Sequence, residues 1–203
     1  MNSNNLQDLF ENLQDGTVLA FYRGGLIGSI IPFFTREKKG EEAPHHVAIV
    51  YEVEKSLSVY NGRAFCTFKL SEQGFHGGKY RTVEIIKYDD IYYTTDDYFL
   101  KQDSVKMARV KMTETQIQLG ILDAISQVGK KYGYSRLILG AEFVEKILPK
   151  EFRRNLFLRL NKKEEVRMCS LHVPMNLKNA GIDVPLDDVY SPLEVLKIKN
   201  IYV

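Results

Sequence analysis

The sequence predicts an α+β protein in which an antiparallel sheet packs against helices. Apolar, β-branched segments dominate the N-terminal half, and segments with helical periodicity dominate the C-terminal half. Strands and helices that occupy separate parts of a chain are typical of the α+β class, and a meander of strands favours antiparallel pairing. The chain has 203 residues and contains no repeat or low-complexity linker, so we expect one domain over 1–203.

The N-terminal half is predicted to contain one helix followed by strands. The segment NLQDLFENLQ has an amphipathic pattern that ends at Asp15 and Gly16. Strands are predicted at TVLAFYR (17–23), HVAIVYEV (46–53), LSVYNGRAFCTFKL (57–70), RTVEIIKY (81–88) and VKMARVKM (105–112). The EKS segment at 54–56 is predicted to be the turn between the second and third of these strands.

The C-terminal half is predicted to be helical. Thr113 and Gln116 form a capping-box pattern at the start of the first of these helices. Its apolar stripe is predicted to consist of Ile117, Ile121, Ile125 and Val128. A helical elaboration follows around 135–166, with a break at Pro149.

Two further helices are predicted near the C-terminus. The segment CSLHVPMNLKNAG begins a helix at Cys169 and ends it at Gly181. In SPLEVLK, Ser191 is the predicted cap, Pro192 takes the first helical position and Glu194 completes a capping box.

Composition and charge exclude several classes of protein. The net charge of +2 is too small to favour nucleic-acid binding. The N-terminus lacks the basic and apolar regions of a secretory signal, and the longest apolar stretch, GLIGSIIPFF, is too short to span a bilayer. The two cysteines favour a reducing compartment over a disulfide framework. We therefore expect a cytoplasmic protein, and association with a phage or virion is left open.

Cys169 is the first candidate for chemistry. A thiolate at a helix N-terminus is stabilised by the helix dipole, and the backbone N–H groups there can also bind an oxyanion. The position therefore suits a nucleophile. The alternative is a small cysteine buried for packing, which is common.

His46 is the candidate base for that nucleophile. It opens a predicted strand, and because residues alternate faces along a strand, His45 must point to the opposite side. A tight hairpin would bring Ser58, Tyr60 and Asn61 near the level of His46. Cysteine catalysis needs such a third polar group to orient the imidazole.

These segments, taken in order, resemble circularly permuted NlpC/P60-like proteins. The order is DGTVLAF, RGGLIGSIIPFFT, HHVAIV, QVGKKYGYSRL, MCSLHVPMNLKNAG and YSPLEVLK. That family comprises papain-like thiol enzymes in which the histidine strand precedes the cysteine helix. It includes the YiiX/YebB-like group and the relatives of lecithin–retinol acyltransferase. Leu171 departs from the family pattern, because relatives often have Glu after Cys-Ser.

The resemblance implies a papain-like fold and a cysteine hydrolase of the amidase or peptidase type. It implies that Cys169 is the nucleophile, His46 the base and Asn61 the third residue, with Ser58 as the alternative to Asn61. The substrate would be a peptide, cell-wall or lipid-derived amide or ester, and no cofactor would be needed. A lipid acyltransferase or lipase of the same fold, and a non-catalytic binding module, are the alternatives.

Residues in and before the Cys169 helix also suggest two other uses. Cys169 and His172 have the spacing of metal ligands, but no compact cluster of Cys and His appears in the sequence, so we expect no metal. The basic, amphipathic segment 148–167 could contact a membrane surface or a partner protein, or could simply cover the core. The spacing also allows His172 either to contribute to the Cys169 site or to fill space.

Overall fold

A computed structural model describes residues 3–22, 43–58, 62–74, 76–131, 167–185 and 192–198. The predicted third residue Asn61 and the predicted cap Ser191 lie outside these ranges. So do the helical elaboration around 135–166 and, apart from Arg167, the basic segment 148–167.

The α+β class is confirmed. The strands are β1 (Thr17–Tyr22), β2 (His46–Leu57), β3 (Ala64–Gly74), β4 (Gly77–Tyr88), β5 (Ile91–Thr94) and β6 (Ser104–Arg109). The helices are α1 (Ser3–Asn12), α2 (Asp97–Leu100), α3 (Glu114–Ser126), α4 (Cys169–Asn179) and α5 (Pro192–Val195). Strand β5 and helix α2 were not predicted. The predicted starts of α4 at Cys169 and of α5 at Pro192 are confirmed.

The six strands form one antiparallel sheet in the order β5-β4-β3-β2-β1-β6. The sheet is curled, so that α1 packs against both of its edge strands, β5 and β6. Leu6, Leu9 and Leu13 of the α1 region enter the concave side, where they meet the apolar side chains of the central strands. The sheet therefore separates a core on its concave face from a second core on the opposite face.

The second core is formed by helices that pack on the other face. Val18, Ala20, Val47 and Ile49 face Cys169 and the rest of α4 there, because alternate residues of β1 and β2 point to opposite faces. Helices α3 and α5 contribute to the same cluster. The first residue of that helix, Cys169, is thus packed against the sheet.

The predicted turn at EKS is wrong. Strand β2 continues through this segment to Leu57, and Lys55 pairs with Cys66 on β3. A bulge between Tyr51 and Glu54 interrupts the ladder. The distal half of β2 is largely exposed, and an exposed strand end has the polar composition of a turn. The hairpin is consequently longer than predicted.

Helix α3 begins as the sequence predicted, but its buried face differs. Thr113 caps the helix and the reciprocal bonds with Gln116 are both present, which confirms the capping box. Its fully buried residues are Gly120 and Ala124, whereas Ile125 and Val128 are about half exposed. The reason is close packing on β2: a Cβ at position 120 would come within 2.3 Å of the Tyr51 hydroxyl. Only small residues allow that approach.

Among the helices that the structure describes, none is long and apolar enough to cross a membrane.

Candidate active site

His46 is the first residue of β2 and lies in the middle of the candidate site. Its Cα pairs with that of Phe21 on β1, and its ring packs against the rings of Phe21 and Tyr98. The residue is only 8 % exposed. Its two polar partners are the side chains of Cys169 and Glu72. A buried imidazole is thus held between a thiol and a carboxylate.

Cys169 is brought to His46 by helix α4. The helix begins at Cys169, and Met168 in the cap position makes no side-chain bond to the first turn. The first intrahelical bonds run from Leu171 N and His172 N to Met168 O. A helix N-terminus stabilises negative charge, because its first N–H groups have no acceptor within the helix. The thiol, 3 % exposed, therefore lies at an electropositive end of a helix.

Glu72 of β3 is the third member of the group. Alternation along the strands puts His46, Ala48 and Val50 on one face of β2 and Leu70 and Glu72 on the same face of β3. Glu72 Oε2 lies 3.1 Å from His46 Nε2. A carboxylate at this distance orients the ring and stabilises its protonated form.

The electrostatics of the pair agree with this geometry. Burial acts to lower the pKa of His46, but the hydrogen bonds and negative charges of Cys169 and Glu72 outweigh it and raise the pKa to about 10. Burial acts to raise the pKa of Glu72, but His46 and Arg81 lower it to about 2. At neutral pH the pair is therefore an imidazolium and a carboxylate.

A second pair of charges lies behind Glu72. Arg81 Nε donates to Glu72 Oε1 over 2.9 Å, and Arg81 Nη1 donates to Asp96 Oδ2. The other oxygen of Asp96 caps α2 by accepting from the N–H groups of Tyr98 and Phe99. The guanidinium also lies 5.7 Å from the Tyr98 ring centroid, and that ring is packed edge-on against His46.

The structure brings together some of the residues predicted from the sequence and not others. The structure brings Cys169 and His46 together. Asn61 lies outside the described residues, so its predicted role stays a prediction. Ser58 does not approach His46, because it follows the far end of the 12-residue strand β2.

Sequence reasoning missed Glu72, and the cause is the hairpin register. With a turn at 54–56, the strand opposite His46 would present residues near Asn61. The observed pairing of Ile49 with Ser71 instead places Glu72 on the same face as His46 and diagonally across from it. The sequence does contain an indication of it: Glu72 follows Phe68 and Leu70 at two-residue spacing and so puts a carboxylate on an otherwise apolar strand face.

His172 lies one turn after Cys169 but outside the group around His46. It is fully buried, and its Nε2 lies 2.8 Å from Ser71 Oγ. Burial, together with the positive charge of Arg167, lowers its pKa to about 3. His172 is therefore neutral at physiological pH and joins α4 to β3 as a hydrogen-bonded packing residue.

A buried polar network fixes α4 from its other side. Arg167, just before the helix, makes two hydrogen bonds to the carboxylate of Asp123 on α3, at 2.6 and 2.8 Å. Asn176 of α4 donates to Gly120 O and Asp123 Oδ2 and accepts from the hydroxyl of Tyr51. These bonds tie the nucleophile helix to α3 and to the sheet.

The second cysteine has a different environment. Cys66 is fully buried in the concave core, and burial raises the pKa of its thiol. The two thiols of the chain are not joined in a disulfide. Of the two, Cys169 is the one placed beside a base.

Within the described parts of the chain, no group of three or more His, Cys, Asp or Glu residues is arranged to hold a metal ion.

No protein-family model matches the chain, and neither a curated protein nor a solved structure does.

Proposed function

We propose that the protein is a cysteine hydrolase of the permuted papain-like type, acting on an amide or ester bond. One observation carries the proposal: the buried ring of His46 contacts both the Cys169 side chain at a helix N-terminus and the carboxylate of Glu72. The order of the histidine strand before the cysteine helix, and the antiparallel sheet beneath that helix, agree with the resemblance found in the sequence.

In the proposed reaction, the pair starts as a thiolate and an imidazolium, because Cys169 has already given His46 its proton. Because Nε2 of the ring faces Glu72, Nδ1 is the nitrogen that receives it. The thiolate attacks the carbonyl carbon, and the carbonyl electron pair moves to oxygen. The N–H groups at the start of α4 stabilise that oxyanion. Collapse expels the amine or alcohol, which takes the proton from His46 and leaves a thioester on Cys169.

Release of the acyl group uses the same residues. His46 takes a proton from water, the hydroxide attacks the thioester, and the Cys169 thiolate leaves with the electron pair of the C–S bond. Glu72 replaces Asn61 as the proposed third residue, because it already occupies the Nε2 side of the ring. Its negative charge stabilises the imidazolium through each step.

Substitution of the two reacting residues tests the proposal. We expect Cys169→Ala and His46→Ala each to abolish turnover of peptide amides or acyl esters, while circular dichroism shows that the fold is kept. Cys66→Ala is the matched control and should keep turnover, since Cys66 is buried in the concave core. Full turnover by Cys169→Ala would refute the mechanism.

Two assays separate the alternatives. Muropeptides and phospholipids, offered in parallel, distinguish an amidase from a lipid acyltransferase or lipase of the same fold. Mass spectrometry of the quenched reaction should find the acyl group on Cys169. A non-catalytic module is indicated if Cys169 reacts with iodoacetamide no faster than a free thiol at neutral pH.

A further inference from the structure

We propose that Arg81 and Asp96 are positioning residues that fix the orientation of Glu72, so that one carboxylate oxygen always faces His46. The inference rests on the proposed function and extends the site beyond the residues that touch the reacting atoms. It concerns residues on β4 and at the start of α2, neither of which the sequence marked as part of a site.

The division of the carboxylate between two partners carries the argument. Oε1 of Glu72 accepts from Arg81 Nε at 2.9 Å, and Oε2 lies 3.1 Å from His46 Nε2. A carboxylate whose first oxygen is fixed can present only the second to the imidazole. The Glu72 side chain is 8 % exposed, so water does not compete freely for either oxygen.

The guanidinium is itself held in place. Arg81 Nη1 donates to Asp96 Oδ2, and the other Asp96 oxygen is fixed by the N–H groups of Tyr98 and Phe99 at 3.1 and 3.0 Å. A planar guanidinium can bind two carboxylates at a fixed angle, which a lysine ammonium cannot do. The orientation of Glu72 is therefore set from the backbone of α2.

The charges that face Glu72 allow positioning by Arg81 to be distinguished from an effect of the Arg81 charge alone. His46 faces it from β2 and Arg81 from β4, with Asp96 behind Arg81. His172, on α4, is close enough to act electrostatically but is neutral. If Arg81 acted only through its charge, removing it would favour the His46 imidazolium. If Arg81 acts by positioning Glu72, removing it disfavours the imidazolium, because the carboxylate turns away.

The test follows the ¹⁵N shifts of the His46 ring by NMR as pH is varied, in the full chain. We expect Arg81→Gln and Arg81→Lys both to lower the His46 titration midpoint by about one pH unit, the lower end of what a close charge contributes. Asp96→Asn should lower it less, because asparagine keeps the helix cap but cannot accept from Arg81 as a charged partner. Arg109→Gln is the control, since Arg109 donates to the backbone oxygen of Asn12 and pairs with Thr17, at the end of β1 away from Phe21.

An unchanged or raised midpoint in the folded Arg81→Gln and Arg81→Lys proteins would overturn the inference. If both Arg81 variants fail to fold, Asp96→Glu decides by the same criterion, because it keeps the negative charge and displaces the carboxylate that holds Arg81. A residue that only stabilises the fold would lower the free energy of unfolding without moving this midpoint. The titration needs no substrate, so a wild-type protein without turnover would count against the proposed function, while the His46 midpoints would still decide the role of Arg81.

Discussion

Replacement of Glu72 by glutamine is the most direct perturbation of the candidate site. Gln keeps the shape and an acceptor oxygen but removes the charge that faces His46 Nε2 at 3.1 Å. The rise in the pKa of His46 from 6.5 to about 10 makes its imidazolium about 5 kcal/mol more stable than that of an unperturbed histidine. Cys169 and Glu72 both contribute to this rise, and a single close charge shifts the pKa of its neighbour by roughly 1 to 3.

Removal of the Glu72 charge should therefore lower the pKa of His46 by about 1.5. We therefore expect the ¹⁵N titration midpoint of the His46 ring to fall by that amount in Glu72→Gln. Turnover that depends on the imidazolium should be lost at a correspondingly lower pH on the alkaline side. Glu54→Gln is the matched control, because Glu54 is exposed near the distal end of the same hairpin. A Glu72→Gln protein whose midpoint matches the wild type would refute the assignment of Glu72 to the site.

Two predictions concern the packing of the nucleophile helix, and both are measured by chemical denaturation over a range of pH. Asp123→Asn should lower the free energy of unfolding by about 3–5 kcal/mol at neutral pH, because Arg167 is left buried without its carboxylate partner; Asp183→Asn, outside this network, should change little. Burial acts to raise the pKa of Asp123, but Arg167 outweighs it and lowers that pKa. The difference in free energy of unfolding between wild type and Asp123→Asn should therefore shrink as pH falls below 3.8. A difference that stays constant with pH would contradict the ion pair. The pKa of His172 is about 3 in the folded protein and 6.5 when unperturbed, so its contribution to stability is complete above pH 6.5 and is lost as pH falls toward 3. His172→Gln should remove a slope of about 1.4 kcal/mol per pH unit between roughly pH 5.5 and 4, and an unchanged slope would show that His172 does not stay neutral.

The local features of the chain could be predicted because they depend on neighbouring residues. The capping box at Thr113 needs only Gln116 three positions on, and the start of β2 at His46 follows from the run of β-branched residues behind it. The start of α4 at Cys169 is likewise local. The sequence by itself therefore determined the α+β class and named both halves of the Cys169–His46 pair.

Only the tertiary structure decided which carboxylate joins that pair. The identity of Glu72 depends on the register of β2 with β3, and this register depends on where the hairpin turns and on the bulge after Tyr51. A shift in register changes which residues of β3 lie next to His46 without changing the pattern of either strand. The charges behind Glu72 come from β4 and from the start of α2: β3–β4 pairing puts Arg81 opposite Leu70 and next to Glu72, and β4–β5 pairing brings Asp96 to Arg81.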